Sequence, residues 1–418
     1  MERLPGFRDF YPAPAPASEP WTSDARQYLF DTWREVARRY GFREYDGPPL
    51  ETLELFTAKS GDEIVGQLYN FSDKANRAVA LRPEMTPTLA RMVAAAERHY
   101  KKPVKWFALP QLFRYERQQK GRLREHFQFN ADIFGESSPG ADAELIALLI
   151  DSLRALKLTA ADFCVRLSSR NAWHDFYAQR CPEPGREYAF YQIVDKLDRD
   201  DPAQSETKLR DLGFSLDDVR EFIEAARPTS ELAWILDDLA ARDLADYVKI
   251  DYGVIRGLAY YTGTVFEVFD RSGEFRAIAG GGRYDQLVKL ISEGRVDLPG
   301  LGFGMGDVVL SELLRARKLW PIFEPRVDVY CLIEEEALRL QSLALVQKLR
   351  AAGSIVEFPL ASAKSDKQFR RALELKAAFT LRLHAQPDGR VVALIKNLET
   401  REENRCSPAD VVARLSHG

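Results

Sequence analysis

The sequence predicts an α/β protein in two parts: an α+β region built on an antiparallel sheet and broken by a helical insertion, then a smaller α/β domain. Three observations carry this. LYNFSD and VALRPEM alternate apolar and polar residues as in antiparallel sheet, and strand patterns return after residue 250. From Glu183 to about Asp246 the chain is charge-dense and reads as helix. Beyond about residue 326 strand and helix patterns alternate, the sign of a separate domain with a largely parallel sheet. The boundaries expected are therefore 1–324, with the insertion at about 183–246, and 326–418, joined by a linker around Pro321 to Pro325.

In chain order, APAPASEP at 13–20 cannot be a helix interior or a central strand, because its prolines remove donors. A helix follows: Ser23 can cap it, Leu29, Trp33, Val36 and Tyr40 recur at three- and four-residue steps, and Gly41 closes it. FREYDGPPLE, LYNFSD and VALRPEM read as strands with a turn. The stretch Thr86 to Tyr100 puts Leu89, Met92, Val93 and Ala96 on one helical face. WFALPQLFRYE and HFQFNADIFG read as two strands joined by a basic loop, and a helix spans about Asp142 to Leu156. After the insertion come the strands DYGVIRG, YYTGTVFEVFD, EFRAIAGG and LGFGMG, then a helix that Asp307 can cap.

The 418 residues are 45% hydrophobic and 29% charged, which excludes a mainly disordered chain. A formal net charge of -4 excludes a blanket electrostatic grip on nucleic acid, though not a local basic surface. The cysteines Cys164, Cys181, Cys331 and Cys406 are scattered, and no histidine spacing suits a metal, so neither a zinc site nor a disulfide framework is expected. The first residues lack an apolar signal core, and the longest apolar run, Ala143 to Ile150, is broken by Glu144. A soluble protein of a reducing, cytoplasmic compartment is the expectation, with no membrane association.

The chemistry concentrates in FRYERQQKGRLREHFQFNADIFGE. Arg114 and Glu116, two apart, are expected on one face of a strand. An inward-facing arginine needs a carboxylate partner or an anionic ligand, and phosphate suits its guanidinium fork. Gln128 and Asp132, four apart, would share one face of the partner strand and offer an amide and a carboxylate. No P-loop is present, and Gly302 to Gly306 form GxGxG rather than GxGxxG, a pattern equally consistent with a tight turn.

Taken together these motifs resemble the histidyl-tRNA synthetase family of class II aminoacyl-tRNA synthetases. The stretch around Arg114 is similar to class II motif 2, GFRDFYP to the family's opening, and LRPEMTPTLARM (Leu81 to Met92) to its amino-acid-recognition segment. IRGLAYYTGTVFE (Ile255 to Glu267) and AGGGRYDQLV (Ala279 to Val288) match its specific peptide and glycine-rich partner. The resemblance implies a class II antiparallel catalytic sheet, a C-terminal anticodon-binding domain, a homodimer, and ATP-dependent activation of L-histidine followed by transfer to tRNA(His), with Mg²⁺ accompanying ATP. It implies Arg114 and Glu116 at ATP, with Arg114 on the α-phosphate, and Arg256 assisting from the opposite side. Glu84, Met85, Thr86, Gln128, Asp132, Tyr260 and Tyr261 would hold histidine, with Arg114 and Arg256 bordering it. Arg117, Lys120 and Arg122 would meet tRNA, and Lys364, Lys367, Arg370 and Arg371 cluster where the anticodon domain's helix begins.

Two positions depart from the family pattern. Ala259 stands where an aspartate is usual, and Val308 and Val309 stand where motif 3 has Glu and Arg. Loss of that arginine favours a second reading, a histidine-sensing, synthetase-like regulatory subunit of ATP phosphoribosyltransferase. The C-terminal domain opposes it. A tRNA-binding paralogue without charging activity is a third.

Overall fold

The computed structural model describes residues 2–16, 21–57, 66–116, 121–180, 185–197, 200–256, 260–324 and 327–415. Half of the APAPASEP segment, 17–20, thus lies outside the described residues. The chain falls into two compact units, Met1–Phe10 with Ser23–Pro321, and Tyr11–Thr22 with Ile322–Gly418.

The first unit begins with helix α1 (Ser23–Arg39), whose Leu29, Trp33 and Val36 are buried at the expected spacing and which ends at Gly41 with φ of +77°. Strands β1 (Arg43–Glu44) and β2 (Leu50–Thr52), helix α2 (Leu53–Thr57), and strands β3 (Asn70–Ser72) and β4 (Ala78–Leu81) follow. Of these, β2, β4 and β3 form a small antiparallel sheet. Helix α3 (Thr86–Ala96) comes next, shorter than expected because a 3₁₀ turn replaces its last residues.

Strands β5 (Val104–Ala108), β6 (Gln111–Phe113) and β7 (Glu125–Phe134) correct the two-strand reading of this region. Leu109 and Pro110 interrupt the first segment, since proline cannot donate to the ladder. Helix α4 (Pro139–Ala155) is apolar almost all round and correspondingly buried. Strand β8 (Phe163–Ser169) leads into helices α5 (Arg170–Ala178), α6 (Glu187–Val194), α7 (Pro202–Arg210), α8 (Leu216–Ala225) and α9 (Ser230–Ala241). These helices are not a free-standing body. Trp173, Phe190, Leu209, Val219 and Leu232 join Val165 and Phe266 of the sheet in one apolar cluster.

The strand expected at DYGVIRG lies instead just before it, as β9 (Val248–Ile250), and residues 251–256 form turn and loop. Strands β10 (Thr264–Asp270) and β11 (Ala279–Arg283), helix α10 (Leu287–Ile291), strand β12 (Gly300–Gly306) and helix α11 (Asp307–Ala316) complete the unit. The main sheet runs β1-β5-β7-β12-β11-β10-β8-β9, with β6 beside β7. It is antiparallel from β5 to β8 and parallel at β1–β5 and β8–β9. One face, with Phe129, Ala131, Leu301, Phe303 and Phe266, packs into the core with α4. The opposite face carries Gln128, Asp132 and Glu267.

Asp307 does not cap α11 with its side chain. Its carboxylate accepts hydrogen bonds from Arg8 Nη1 at 2.8 Å and from the Phe127 backbone at 3.0 Å. Arg8 also donates to Glu125 at 2.6 Å, pinning the N-terminal segment to β7.

In the second unit, β13 (Val329–Leu332), helix α12 (Arg339–Ala351), β14 (Val356–Glu357), helix α13 (Ser365–Glu374), β15 (Phe379–Ala385), β16 (Val391–Asn397), β17 (Glu403–Cys406) and helix α14 (Val411–Leu415) follow in order. The sheet order is β14-β13-β15-β16-β17. It is mixed rather than largely parallel: β13 runs parallel to β14 and β15, while β15, β16 and β17 are antiparallel. The turn at Gln386–Arg390 explains this, because so short a connection can only reverse the chain. Val329, Cys331, Leu345, Leu381 and Ile395 form the unit's own core. Among the described residues no helix is long and apolar enough to cross a membrane, and no group of three or more His, Cys, Asp and Glu could hold a metal ion.

Candidate active site

The register of the main sheet builds a floor nearly free of side chains. Gly302 lies opposite Asp132, and Gly280 lies opposite both Gly304 and Glu267. With period-two alternation, Gln128, Asn130, Asp132 and Glu267 therefore stand on the same face as Gly280, Gly302 and Gly304. Added carbon shows how close the neighbours are. A methyl on Gly302 would run into Asp132 Oδ1, one on Gly304 would sit 2.5 Å from Gln128 Cδ, and one on Gly280 would sit 2.8 Å from Arg256 Cζ. The glycines thus bring Asp132, Gln128 and Arg256 down onto one surface.

At one end is a socket. The Tyr284 hydroxyl donates to Asp132 Oδ1 at 2.5 Å, while Asp132 Oδ2 is buried with no hydrogen-bond partner. Burial pushes the Asp132 carboxyl up to about 7, against the Tyr284 bond, which lowers it. The Tyr260 hydroxyl donates to Glu84 Oε2 at 2.7 Å, leaving Glu84 Oε1 buried and unpartnered. The Tyr260 ring packs 5.0 Å from Tyr261 and edge-on to Tyr284 at 6.1 Å, so the two carboxylates flank one aromatic wall. The Tyr45 hydroxyl is also buried without a partner and feels the Asp132 charge. Buried polar atoms left unpaired are costly, and several converging on one place mark where ligand donors and acceptors belong.

Two arginines border this socket. Arg256 has a left-handed backbone, φ +57°, an uncommon state for a non-glycine residue that concentrates at functional sites. Its Nη1 donates to Glu267 at 2.6 Å and its Nη2 to the Tyr261 hydroxyl at 3.3 Å, while Nε is buried and unpartnered. Burial disfavours its charge, but Tyr261 and Glu267 outweigh that and raise its pKa. Arg114 donates through Nε to the Pro83 carbonyl at 2.9 Å, one residue from Glu84. Burial raises the Glu84 carboxyl, and both Arg114 and Arg256 act on its charge in the opposite sense. Two guanidinium groups from distant parts of the chain therefore bear on one carboxylate.

Arg114 and Glu116 do not share a strand face as expected. Strand β6 ends at Phe113, and the chain turns so that the Glu116 backbone donates to the Arg114 carbonyl at 2.9 Å. Glu116 is buried, ion-paired with Arg122 through Oε2, and its Oε1 lacks a partner. Next to Gln128 on β7, His126 is held far below the usual imidazole range, at about 3, by burial and by the charges of Arg114, Arg8 and Arg122. Of these guanidinium groups, Arg8 is paired with Glu125 and Asp307 and Arg122 with Glu116.

Of the residues expected from sequence, Arg114, Gln128, Asp132, Glu84, Tyr260, Tyr261 and Arg256 are brought together by these contacts, and Thr86 opens α3 directly after them. Met85 is fully buried, and its sulfur accepts from Arg82 Nη1 at 3.6 Å. Arg117, Lys120 and Ala259 lie outside the described residues. Val309 is half-buried on the first turn of α11. Sequence reasoning missed Tyr284, although it stands in the AGGGRYD motif. It also missed Glu267 at the end of the TGTVFE peptide, and Tyr45 and His126, which no pattern marked.

Comparison with known proteins gives a consistent result. A family model described as histidyl-tRNA synthetase matches residues 17–306. The chain is 45% identical to a histidine–tRNA ligase of Opitutus terrae, across 96% of this chain and 95% of that protein. It is 37% identical to one of Leptospira biflexa, across 88% and 86%. Among solved structures it resembles in fold the apo histidyl-tRNA synthetase of S. aureus (TM-score 0.74, 22% identity, all of both chains) and that of Nostoc sp. (TM-score 0.72, 22% identity, 97% and 99%).

Proposed function

We propose, from the premise that this chain belongs to the histidyl-tRNA synthetase family and is a histidine–tRNA ligase, that the glycine-floored cleft is its adenylation site. In this reading the imidazole donates to Asp132, with Tyr284, Tyr45, Tyr260 and Tyr261 around it, and the ammonium group meets Glu84, Thr86 and Gln128. A histidine carboxylate oxygen attacks the α-phosphorus of ATP, and pyrophosphate leaves. Arg114 and Arg256 stabilise the charge that grows on the α-phosphate oxygens, because preorganised donors cost nothing to reorient at that moment. The adenylate's carbonyl is then attacked by a terminal ribose hydroxyl of tRNA(His), and AMP departs.

The observation that carries this reading is geometric: Arg114 is held at the Pro83 carbonyl beside Glu84, Arg256 at the Tyr261 hydroxyl, and Glu84 Oε1 and Asp132 Oδ2 are buried without partners. The left-handed Arg256 fits the same role, since strain at one residue persists where its surroundings require it. Mg²⁺ typically enters on substrate phosphates with one or two carboxylates, and Glu116, with Oε1 unshared, suits that position. Its contribution when bound is to neutralise phosphate charge. Glu116 and Arg114 would hold the nucleotide.

The wider assembly follows the same premise. Residues 1–324 serve as the catalytic domain, with the helices of about 183–246 inserted, and 326–418 as the anticodon-binding domain. Arg122, with Arg117 and Lys120, meets tRNA near the cleft, and exposed Lys364, Lys367, Arg370 and Arg371 meet it at the start of α13. A homodimer in the cytoplasm completes the proposal. The sensor reading draws on Val309 alone. Against it, the Opitutus relative, a histidine–tRNA ligase, matches along 96% of the chain and so includes the C-terminal unit.

Histidine-dependent ATP–pyrophosphate exchange tests this directly. The parent protein is expected to exchange, and Arg256→Ala to lower kcat by about 10²- to 10³-fold, the range found when one transition-state donor is removed. Histidine binding without exchange in the parent would replace the ligase reading with the sensor reading.

A further inference from the structure

The loop that brings Arg256 to the cleft is held from α5. Residues 251–256 form turn and loop after β9, and the Asp251 backbone fixes their start by donating to the Leu167 carbonyl of β8 at 2.8 Å. Two side chains of α5, three positions apart and so on one helical face, reach the rest. Trp173 Nε1 donates to the Tyr252 carbonyl at 3.1 Å, and Arg170 Nη1 to the Ile255 carbonyl at 3.4 Å. The Arg170 backbone also donates to the Gly263 carbonyl at 2.8 Å, where the chain enters β10. Arg170 therefore holds the chain on both sides of Arg256.

The Ile255 carbonyl is one end of the planar peptide that supplies the Arg256 N–H. Fixing that plane constrains the left-handed φ of +57° at Arg256, an uncommon state that persists only where its surroundings impose it. Arg170 is only 7% exposed, and burial disfavours its charge. An apolar side chain would fill the same space without that cost, so the guanidinium is kept for its contacts. It lies against the Tyr191 ring of α6, with Cζ 3.8 Å from the centroid, and the Tyr191 hydroxyl donates to Glu187. Trp173 in turn packs against Phe190 of α6 at 5.7 Å and Phe222 of α8 at 4.6 Å. The hold on the loop thus continues into the inserted helices.

Resting on the adenylation reading, we propose that Arg170 is a positioning residue for that step. By holding the Ile255 carbonyl it keeps Arg256 aimed into the cleft, and through Tyr191 it links the inserted helices to the reacting phosphate.

The test is ATP–pyrophosphate exchange in Arg170→Met, which keeps an unbranched apolar stem and removes the donor. Its kcat should fall about 10- to 100-fold, the penalty of a slightly misplaced group, with KM for ATP and for histidine within about twofold of the parent. Arg170→Lys, which can still donate to the carbonyl, should recover part of the loss. In an Arg256→Ala background Arg170→Met should have little further effect, because the side chain it positions is gone; a merely structural arginine would lower both backgrounds by the same factor. Amides of residues 251–256 should also take up deuterium faster in Arg170→Met than in the parent. An unchanged kcat in Arg170→Met, or an equal loss in both backgrounds, overturns the inference. No exchange in the parent, or full exchange in Arg256→Ala, overturns the adenylation reading instead. Deuterium uptake then decides whether Arg170 holds the loop, and equal rates overturn that too.

Discussion

Asp132 shows what a single buried carboxylate contributes at the residue scale. With its pKa pushed up to about 7, the folded protein retains a proton there that the unfolded chain has lost above about pH 4. An acid raised in the folded state makes stability fall as pH rises between those two values, with no further loss above the upper one. Tm measured between pH 5 and 8 should therefore fall less steeply in Asp132→Asn than in the parent; equal slopes would refute the shift. In exchange, Asp132→Asn should raise KM for histidine by about 10²-fold or more, since a site built to pair a ring N–H discriminates through that bond, while KM for ATP stays put. Such residues were legible where a motif carried them. Arg256, Glu84 and Asp132 stand in recognisable stretches, but Tyr45 lies in a short FREYDG segment whose pattern speaks only of strand and turn. Met85 stands between Glu84 and Thr86, and its buried side chain meets Arg82 and lies close to Gly47.

Strands and turns were less evenly legible than motifs. Helix α1 followed its periodicity, and LYNFSD and VALRPEM supply the antiparallel pair β3–β4 although burial along those strands does not alternate. The strand assigned to DYGVIRG did not, because the left-handed backbone of Arg256 is incompatible with an extended ladder. Arg114 and Glu116 fell past the end of β6, where spacing within a strand no longer governs direction. The GxGxG run, ambiguous as a sequence, acquires its meaning only from register. Gly302 faces Asp132 across the β7–β12 pair, which no single strand could disclose. Gly302→Ala is a small change with a specific target: the added methyl must displace the Asp132 carboxylate and crowd the Tyr284 hydroxyl, 3.0 Å away. The variant should bind histidine at least about tenfold more weakly by calorimetry, since a misplacement of an ångström costs heavily in a preorganised site. Histidine affinity equal to the parent's would mean that this face is not the amino-acid site.

For the whole molecule, composition and alternation foretold an α/β chain, and both units contain the expected sheets. The parallel reading of the second unit failed at β15–β16, where a tight turn reverses the chain, and the insertion's helices proved continuous with the main core. The second unit has a core of its own and a basic start to α13. Charge reversal at Lys364 and Lys367 should raise KM for tRNA(His) in aminoacylation and flatten its dependence on salt, since each lost phosphate contact removes about one released counterion. Pyrophosphate exchange in the same variant serves as the reference, and an equal loss in both assays would contradict an RNA-binding role for this surface. The account as a whole depends on Arg114 and Arg256 serving one reacting phosphate. A double-mutant cycle on kcat for histidine-dependent exchange, with Arg114→Ala, Arg256→Ala and the pair together, measures that most directly. Groups that share one transition state couple, and the predicted result is a departure from additivity of at least about 1 kcal/mol; additivity within about 0.5 kcal/mol would put the two arginines in separate sites and contradict the account.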